Sequence, residues 1–202
     1  MSMRDVTVRI KKLMNTYADE LERVYEDGKH LMVKRTGKII DYLSGLTGKK
    51  LLDVGCGPGR VAVKISKEIG LEVHAVDFSE KAVKIAKKLV EKEKAKVKVF
   101  CEDILAPSLN SGLNYKSYDI VLCKDVVAIY TTEEKEEIIR ELVKYVKPGG
   151  HLVMSVLSCN KDPRFYSELP DTYKRLIERI TGKEPYIERM DEEALLLHVK
   201  LD

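Results

Sequence analysis

Leu51-Leu52-Asp53-Val54-Gly55-Cys56-Gly57-Pro58-Gly59-Arg60 is the stretch of sequence that decides the fold. It opens with the apolar character of a buried parallel strand, interrupted by a single acid, Asp53. Three glycines at alternate positions then allow a tight turn, because glycine has no Cβ and lets a ligand lie against the backbone. A helical pattern begins directly behind the turn, at Val61. The stretch therefore predicts a strand, a glycine-rich turn and a helix, in that order.

The spacing of these glycines distinguishes the turn from a dinucleotide-binding loop. Such a loop has the pattern G-x-G-x-x-G and seats a pyrophosphate on the helix N-terminus. Here the pattern is G-x-G-x-G, and Asp53 lies where an anionic pyrophosphate would be repelled. The spacing indicates a nucleoside ligand that carries a positive charge at this end. A nicotinamide-dependent oxidoreductase is disfavoured, although glycine-rich turns between a strand and a helix occur in many α/β proteins.

Strand and helix patterns alternate along the middle of the chain. We predict strands at 50–54, 72–77, 97–101, 118–123 and 151–157, and helices at 59–69, 79–94 and 132–146. Three further acids, Asp77, Asp103 and Asp125, follow or end these strands. The alternation predicts a parallel sheet covered by helices on both faces.

The two ends of the chain add elements to this pattern. Roughly 50 residues precede the first strand, and their apolar side chains at helical spacing predict two helices. Near the other end we predict a helix at 170–181 and strands at 186–190 and 195–201. The connection between the last two strands is too short for a parallel crossover, so they should be antiparallel.

Together these motifs resemble the class I S-adenosylmethionine-dependent methyltransferases, strongly over residues 15–157 and by pattern beyond them. The resemblance implies an α/β fold with a doubly wound, mostly parallel seven-stranded sheet in the order 3-2-1-4-5-7-6. Its last strand would be antiparallel, and helices would lie on both faces. It also implies a single domain over 1–202, divided into a helical lid (1–49), a cofactor-binding core (50–157) and a substrate-side cap (158–202).

Cofactor-binding residues are assigned by the same resemblance. Asp53 and the glycine turn would hold the methionine part of S-adenosylmethionine, Asp77 the ribose hydroxyls, and Asp103 the adenine amino edge. We leave two alternatives open: Asp77 as a helix N-cap ahead of Ser79, and Asp103 as a turn carboxylate. The full set expected to contact the cofactor is Asp53, Gly55, Cys56, Gly57, Gly59, Asp77, Phe78, Asp103, Ile104, Lys124 and, from the lid, Tyr17, which is alternatively a core aromatic.

The methyl acceptor is expected beside the segment that follows the fourth strand. Asp125 and Tyr130 are candidates for positioning it, and the chain needs no nucleophile of its own, because the sulfonium is already electrophilic. Lys124-Asp125-Val126-Val127 does not match the D/N-P-P-Y signature of amino-directed nucleic-acid methyltransferases. This departure argues against methylation of a base nitrogen.

Composition limits the functional class. There are 36 Lys and Arg against 33 Asp and Glu, a net charge of +3, and no Gln, a pattern typical of thermophiles. A solvated helix face explains the lysine-rich stretch 81–98 without invoking nucleic acid. The four cysteines lack metal-ligand spacing, so we predict buried thiols and no metal site. No signal peptide or membrane-spanning run is evident, which predicts a cytoplasmic protein.

The leading hypothesis is a methyltransferase that acts on a small molecule, as a monomer or homodimer. The alternatives are an RNA or protein methyltransferase, or a non-catalytic subunit that binds the cofactor and pairs with an active partner. Nucleic acid is the less favoured acceptor, because the net charge is small.

Overall fold

The computed structural model describes residues 3–26, 30–108, 112–158 and 166–202. Its strands form one seven-stranded sheet in the order β3-β2-β1-β4-β5-β7-β6, which confirms the predicted fold class and strand order. Tertiary contacts group the residues into two compact units, Met1–Ser111 and Gly112–Asp202. The division into lid, core and cap was inferred from the family resemblance and remains a prediction.

The first unit contains the glycine turn and three parallel strands. The elements are α1 (Met3–Glu26), α2 (Leu31–Ser44), β1 (Lys50–Val54), α3 (Arg60–Glu68), β2 (Glu72–Asp77), α4 (Glu80–Glu93) and β3 (Val97–Cys101). β2 pairs in parallel with both β1 and β3. Two helices precede β1, as predicted, and His30 caps the second by accepting a hydrogen bond from the N–H of Met32. Each strand therefore ends at the same edge of this part of the sheet, where the acids lie.

The second unit contains four strands and two α-helices. Its elements are β4 (Tyr118–Lys124), a 3₁₀ turn (Val127–Ile129), α5 (Thr132–Tyr145), β5 (Val146–Leu157), α6 (Pro170–Thr181), β6 (Tyr186–Arg189) and β7 (Ala194–Lys200). β4 and β5 are parallel, whereas β7 is antiparallel to both β5 and β6. The prediction of an antiparallel final strand pair is confirmed.

One boundary differs from the prediction by more than one residue. We expected β5 to begin at His151, but it begins at Val146, which pairs with Tyr118 before the register shifts. The Pro-Gly-Gly segment is part of the strand, because the N–H of Gly149 donates to Leu201 at 3.0 Å. Helix α5 ends at Tyr145, before Pro148, and hydrogen bonds with the backbone of Leu201 hold Gly149 and Gly150 in the sheet.

The helix caps follow from local sequence. Thr131 and Glu134 form a capping box at the start of α5, each side chain bonding the other's backbone N–H. The core of the first unit is aliphatic, with Leu51 and Val73 fully buried. The core of the second combines aliphatic residues such as Leu122 and Val153 with the buried rings of Tyr118, Tyr145 and Tyr173. Within the described residues, no helix is long and apolar enough to span a membrane.

Candidate functional site

The glycine turn after β1 is held against β2 by backbone hydrogen bonds. The N–H groups of Gly55 and Cys56 both donate to the carbonyl of Val76, at 2.8 and 3.1 Å. Gly59 has a left-handed φ of 79°, and a Cβ there would lie 2.9 Å from the Cβ of Ala86 in α4. Glycine is therefore required at 59 both by the backbone conformation and by the close packing of α4.

Asp77 ends β2 with its carboxylate held by two backbone N–H groups. Ser79 donates to Oδ1 at 2.8 Å and Gly57 donates to Oδ2 at 2.9 Å. Burial raises the pKa of Asp77, and the two N–H groups oppose the rise. The N-cap of α4 is Ser79, which accepts from the N–H of Ala82, so the alternative that Asp77 is the cap is wrong. This arrangement joins the glycine turn, the end of β2 and the start of α4 through one carboxylate.

The other predicted cofactor residues of this unit differ in burial. Asp53 is only 2% exposed within β1, and Phe78 is half-buried directly after β2. Cys56 is buried, and burial together with the charges of Asp77 and Asp53 raises the pKa of its thiol well above the ordinary value. Its thiol is therefore neutral at physiological pH and contributes volume, not charge.

Asp103 follows β3 and forms a local turn. Its carboxylate accepts a hydrogen bond from the N–H of Leu105 at 3.0 Å, which is the turn role left open by the sequence. Both Asp103 and Ile104 are half-buried. The turn bond uses one carboxylate oxygen, so a contact of the other oxygen with adenine is compatible with it.

Helix α1 lies over the start of α4. The hydroxyl of Ser79 donates to Oδ1 of Asn15 at 2.6 Å, and the ion pair between Lys81 and Asp19 measures 2.6 Å. Tyr17 lies between these two anchors and is half-buried. Helix α1 is thus fixed beside α4, the element that follows Asp77, and its Leu21 lies 3.9 Å from the position that a Cβ would take at Gly57.

In the second unit, three polar side chains gather where β4 and β5 end. Lys124 pairs with Ser155 in the parallel register, and Asp125 follows β4 with a left-handed φ of 59°. The hydroxyl of Ser155 donates to Oδ1 of Asp125 at 2.6 Å, and Nζ of Lys124 lies 2.5 Å from Oδ2. We call Lys124, Asp125 and Ser155 the strand-end cluster. It presents a fixed carboxylate at the carboxyl end of two strands.

The segment after this cluster carries the second predicted acceptor residue. Tyr130 is only 5% exposed, so its ring is largely packed away. The N–H of Tyr166 donates to the carbonyl of Ala128 at 2.6 Å, which brings an aromatic residue that is 44% exposed to the same segment. Tyr166 therefore adds an exposed aromatic ring beside the segment that carries Tyr130.

Sequence reasoning missed two polar residues of this unit. Ser155 lies within the apolar run of β5, and a lone hydroxyl in such a run was a usable signal. Lys135 is fully buried, and its Nζ donates to the carbonyl of Tyr166 at 2.5 Å and contacts Glu168 at 3.2 Å. Lys135 stands at the start of the buried stripe that continues through Ile138 on α5, which marks it as core-facing.

The remaining cysteines differ in exposure, and two of the histidines form a pair. Cys123 is buried as predicted, whereas Cys101 is exposed, because it ends the edge strand β3; Cys159 lies outside the described residues. Nδ1 of His151 is 2.8 Å from Nε2 of His198 inside the second unit. The described residues contain no group of three or more His, Cys, Asp or Glu that could hold a metal ion.

Comparison with known proteins agrees with this geometry. Residues 51–150 match the methyltransferase domain family. The ubiquinone biosynthesis O-methyltransferase of Cupriavidus pinatubonensis is 31% identical over 121 residues, which cover 60% of this chain and 46% of that protein. The chain spans about half the length, or less, of the first curated relatives that it matches.

Two solved structures share the fold over nearly the whole chain. Magnesium protoporphyrin IX methyltransferase from Synechocystis PCC 6803, with bound S-adenosylhomocysteine, has a TM-score of 0.77 at 20% identity and covers 97% of this chain and 100% of its own. The 1,6-didemethyltoxoflavin-N1-methyltransferase of Burkholderia thailandensis has a TM-score of 0.78 at 15% identity and covers 100% of this chain and 92% of its own. With its sheet order and its glycine turn, the chain belongs to the class I S-adenosylmethionine-dependent methyltransferases.

Proposed function

We propose that this protein transfers a methyl group from S-adenosylmethionine to a small molecule. The observation that carries the proposal is the buried carboxylate of Asp77, which ends β2 and is joined by hydrogen bonds to Gly57 of the glycine turn. In a doubly wound fold, an acid at this position is suited to a ribose diol. The neighbouring backbone has no Cβ to block a ligand at Gly55, Gly57 and Gly59.

The residues present fit this cofactor. The left-handed glycines form a cradle, and Asp53 offers a negative charge in place of the positive helix terminus that a pyrophosphate would need. When bound, the cofactor supplies an electrophilic methyl group on a sulfonium. The residues proposed to hold it remain those predicted from sequence: Asp53, Gly55, Cys56, Gly57, Gly59, Asp77, Phe78, Asp103, Ile104, Lys124 and Tyr17.

The chain's own contribution to transfer is alignment and exclusion of water. We assign acceptor positioning to Asp125 and, from its neighbouring segment, Tyr130. A small acceptor is supported by the relatives, whose names refer to ubiquinone biosynthesis, magnesium protoporphyrin IX and 1,6-didemethyltoxoflavin.

We also propose that the protein comes from a thermophile and is located in the cytoplasm. A thermophilic origin is supported by numerous ion pairs, among them Lys67–Glu93 at 2.6 Å and Lys144–Glu141 at 2.6 Å. A cytoplasmic location is supported by Cys56, Cys101 and Cys123, which are not joined in disulfides, since that compartment keeps thiols reduced. We propose a monomer or homodimer, which sedimentation of the purified protein would decide.

Calorimetric titration of S-adenosylhomocysteine tests the proposal. We expect micromolar binding by the wild type and a loss of at least about 100-fold in Asp77→Ala, since a charged hydrogen-bond acceptor is removed. Glu72→Ala is the matched control, because Glu72 begins the same strand and is exposed at its other end; its binding should be unchanged. Binding of NAD in place of S-adenosylhomocysteine would contradict the proposal.

Transfer itself is measured with tritiated S-adenosylmethionine and a panel of small acceptors. The panel holds 3,4-dihydroxybenzoate, magnesium protoporphyrin IX and 1,6-didemethyltoxoflavin. Label transferred to at least one of them supports a small-molecule enzyme. Binding of the cofactor with no transfer to these or to total RNA would favour the non-catalytic partner instead.

A further inference from the structure

In the strand-end cluster, Asp125 has a left-handed backbone conformation that the pairing of β4 with β5 does not require. β4 and β5 are already joined by backbone pairing up to Lys124 and Ser155. Beyond that pair, Asp125 leaves the strand in a left-handed conformation, which costs a residue with a side chain about 1 kcal/mol or more. A strained backbone conformation persists only where surrounding contacts hold it. Residues strained in this way are most common at functional sites.

Three contacts hold Asp125 in this conformation. Its backbone N–H donates to the carbonyl of Ser155 at 2.9 Å, while the hydroxyl of the same serine donates to Oδ1. Nζ of Lys124 holds Oδ2. Main chain and side chain of Asp125 are therefore both fixed to one residue of the neighbouring strand, so the carboxylate has one orientation.

Asp125 is the member of the strand-end cluster whose side chain is most exposed to solvent. The side chain of Lys124 is 5% exposed and Ser155 is fully buried, whereas the side chain of Asp125 is 16% exposed. A carboxylate has about four lone-pair positions, and the two side-chain contacts use one on each oxygen. The remaining positions can accept a hydrogen bond from a molecule that arrives at this end of the strands.

We propose that Ser155 is a positioning residue, whose buried hydroxyl holds the carboxylate of Asp125 to receive a hydrogen bond from the methyl acceptor. The inference rests on the proposed function and narrows it to acceptors whose reacting atom bears hydrogen, namely a hydroxyl or an amine. In the transfer, a lone pair of that oxygen or nitrogen bonds to the methyl carbon, and the carbon–sulfur bond breaks with its electron pair left on sulfur. The hydrogen of the acceptor passes to Asp125 as a proton and then to solvent.

The chain offers a matched control for the serine. Ser158 is also fully buried, and its backbone N–H donates to Glu193 at 2.7 Å, away from Asp125. Ser158→Ala deletes an equally buried hydroxyl from a residue outside the strand-end cluster. Ser155→Thr is the conservative variant, because it keeps a hydroxyl at 155.

The experiment compares wild type, Ser155→Ala, Ser155→Thr and Ser158→Ala. For transfer to 3,4-dihydroxybenzoate we expect Ser155→Ala to lower kcat by about 10- to 100-fold, as misplacement of a positioning group does. Affinity for S-adenosylhomocysteine and the KM for S-adenosylmethionine should stay within twofold of wild type. Ser155→Thr should recover part of kcat, and Ser158→Ala should retain it. Among the panel acceptors, those with O–H or N–H at the reacting atom should be methylated.

Amide hydrogen exchange provides a readout that needs no acceptor. In Ser155→Ala the amides of 125–130 should exchange at least tenfold faster, while those of 120–123, which lie in the strand, should not change. If 3,4-dihydroxybenzoate is not a substrate, this comparison decides the positioning claim. Wild-type kcat in Ser155→Ala, equal effects of Ser155→Ala and Ser158→Ala, or unchanged exchange at 125–130 would each overturn it. Failure of the wild type to bind S-adenosylhomocysteine would instead defeat the proposed function.

Discussion

Asp77 and Asp125 each stand where a parallel strand ends, yet their carboxylates are held by different kinds of partner. Asp77 is held by the backbone N–H groups of Gly57 and Ser79. Asp125 is held by two side chains, those of Lys124 and Ser155. A carboxylate held by backbone depends on the conformation of a turn, whereas one held by side chains depends on the identity of two residues. Different substitutions should therefore disturb the positions of the two carboxylates.

The largest effect should come from distorting the turn on which Asp77 depends. In Gly59→Ala, the new Cβ would meet Ala86 at 2.9 Å while the residue keeps a left-handed φ of 79°. We expect a loss of about 4 kcal/mol in the free energy of unfolding, from strain and overpacking together. Urea denaturation measures it.

Gly70→Ala separates the two causes. Gly70 has a similar φ of 82° but nothing within 4 Å of its missing Cβ. Its substitution should cost only about 1 kcal/mol, because conformational strain acts there alone. Equal losses in the two variants would contradict the packing argument.

The next effect tests the dependence of Asp125 on side chains. Asp125→Asn keeps an acceptor for Ser155 but removes the negative charge beside Lys124, whose side chain is 5% exposed. We expect a loss of about 2 to 3 kcal/mol in the free energy of unfolding, since a buried lysine loses its counter-ion. Thermal denaturation and urea denaturation should both show this loss of stability.

Asp119→Asn is the control for this substitution, at the opposite end of β4. Asp119 pairs with Lys147, whose side chain is 45% exposed to water. Removing its charge should cost less than about 1 kcal/mol, because solvent screens an exposed lysine. A larger loss at 119 than at 125 would show that burial does not decide the strength of these pairs.

A third prediction concerns the pH dependence of cofactor binding through Asp77. Burial raises the pKa of Asp77 above its ordinary value, and ribose hydroxyls would donate to the ionised form. Affinity for S-adenosylhomocysteine should therefore fall as the pH decreases through this raised pKa, by about tenfold per unit below it. Calorimetry from pH 7.5 to 4.5 measures the slope. Asp77→Asn should bind weakly at every pH and lose the dependence.

The smallest effect concerns acid stability of the second unit. Burial lowers the pKa of His151 and lowers that of His198 to about 4, with Lys200 nearby adding to both shifts. Above the ordinary value of 6.5 both rings are neutral in the folded and unfolded states. As the pH falls from 6.5 towards 4, the unfolded chain binds protons that the folded protein excludes, so stability decreases.

We expect this decrease to be about 1 to 2 kcal/mol, because the ring of His198 is partly screened by solvent. His198→Asn should reduce the difference in thermal midpoint between pH 7.5 and 4.5. The carboxylates that titrate in the same range are common to both proteins. An equal difference in the variant would exclude the histidine pair as a cause.

Much of the fold could be predicted because its signals are local. The alternation of strands and helices, the glycine turn and the caps of α4 and α5 depend on residues close in sequence. The start of β5 was not predicted, because Val146 joins the sheet only through its pairing with Tyr118 and the later contact of Gly149 with Leu201. No local pattern encodes partners more than 25 residues away.

The sequence by itself determined the sheet order, through its resemblance to a family, and placed an acid after each of several strands. It also indicated the kind of ligand at the glycine turn, from the spacing of the glycines and the acid at Asp53. Only the tertiary structure decided that Ser155 orients Asp125. That contact depends on the parallel register of β4 and β5, which long-range packing sets and which no spacing along the chain records.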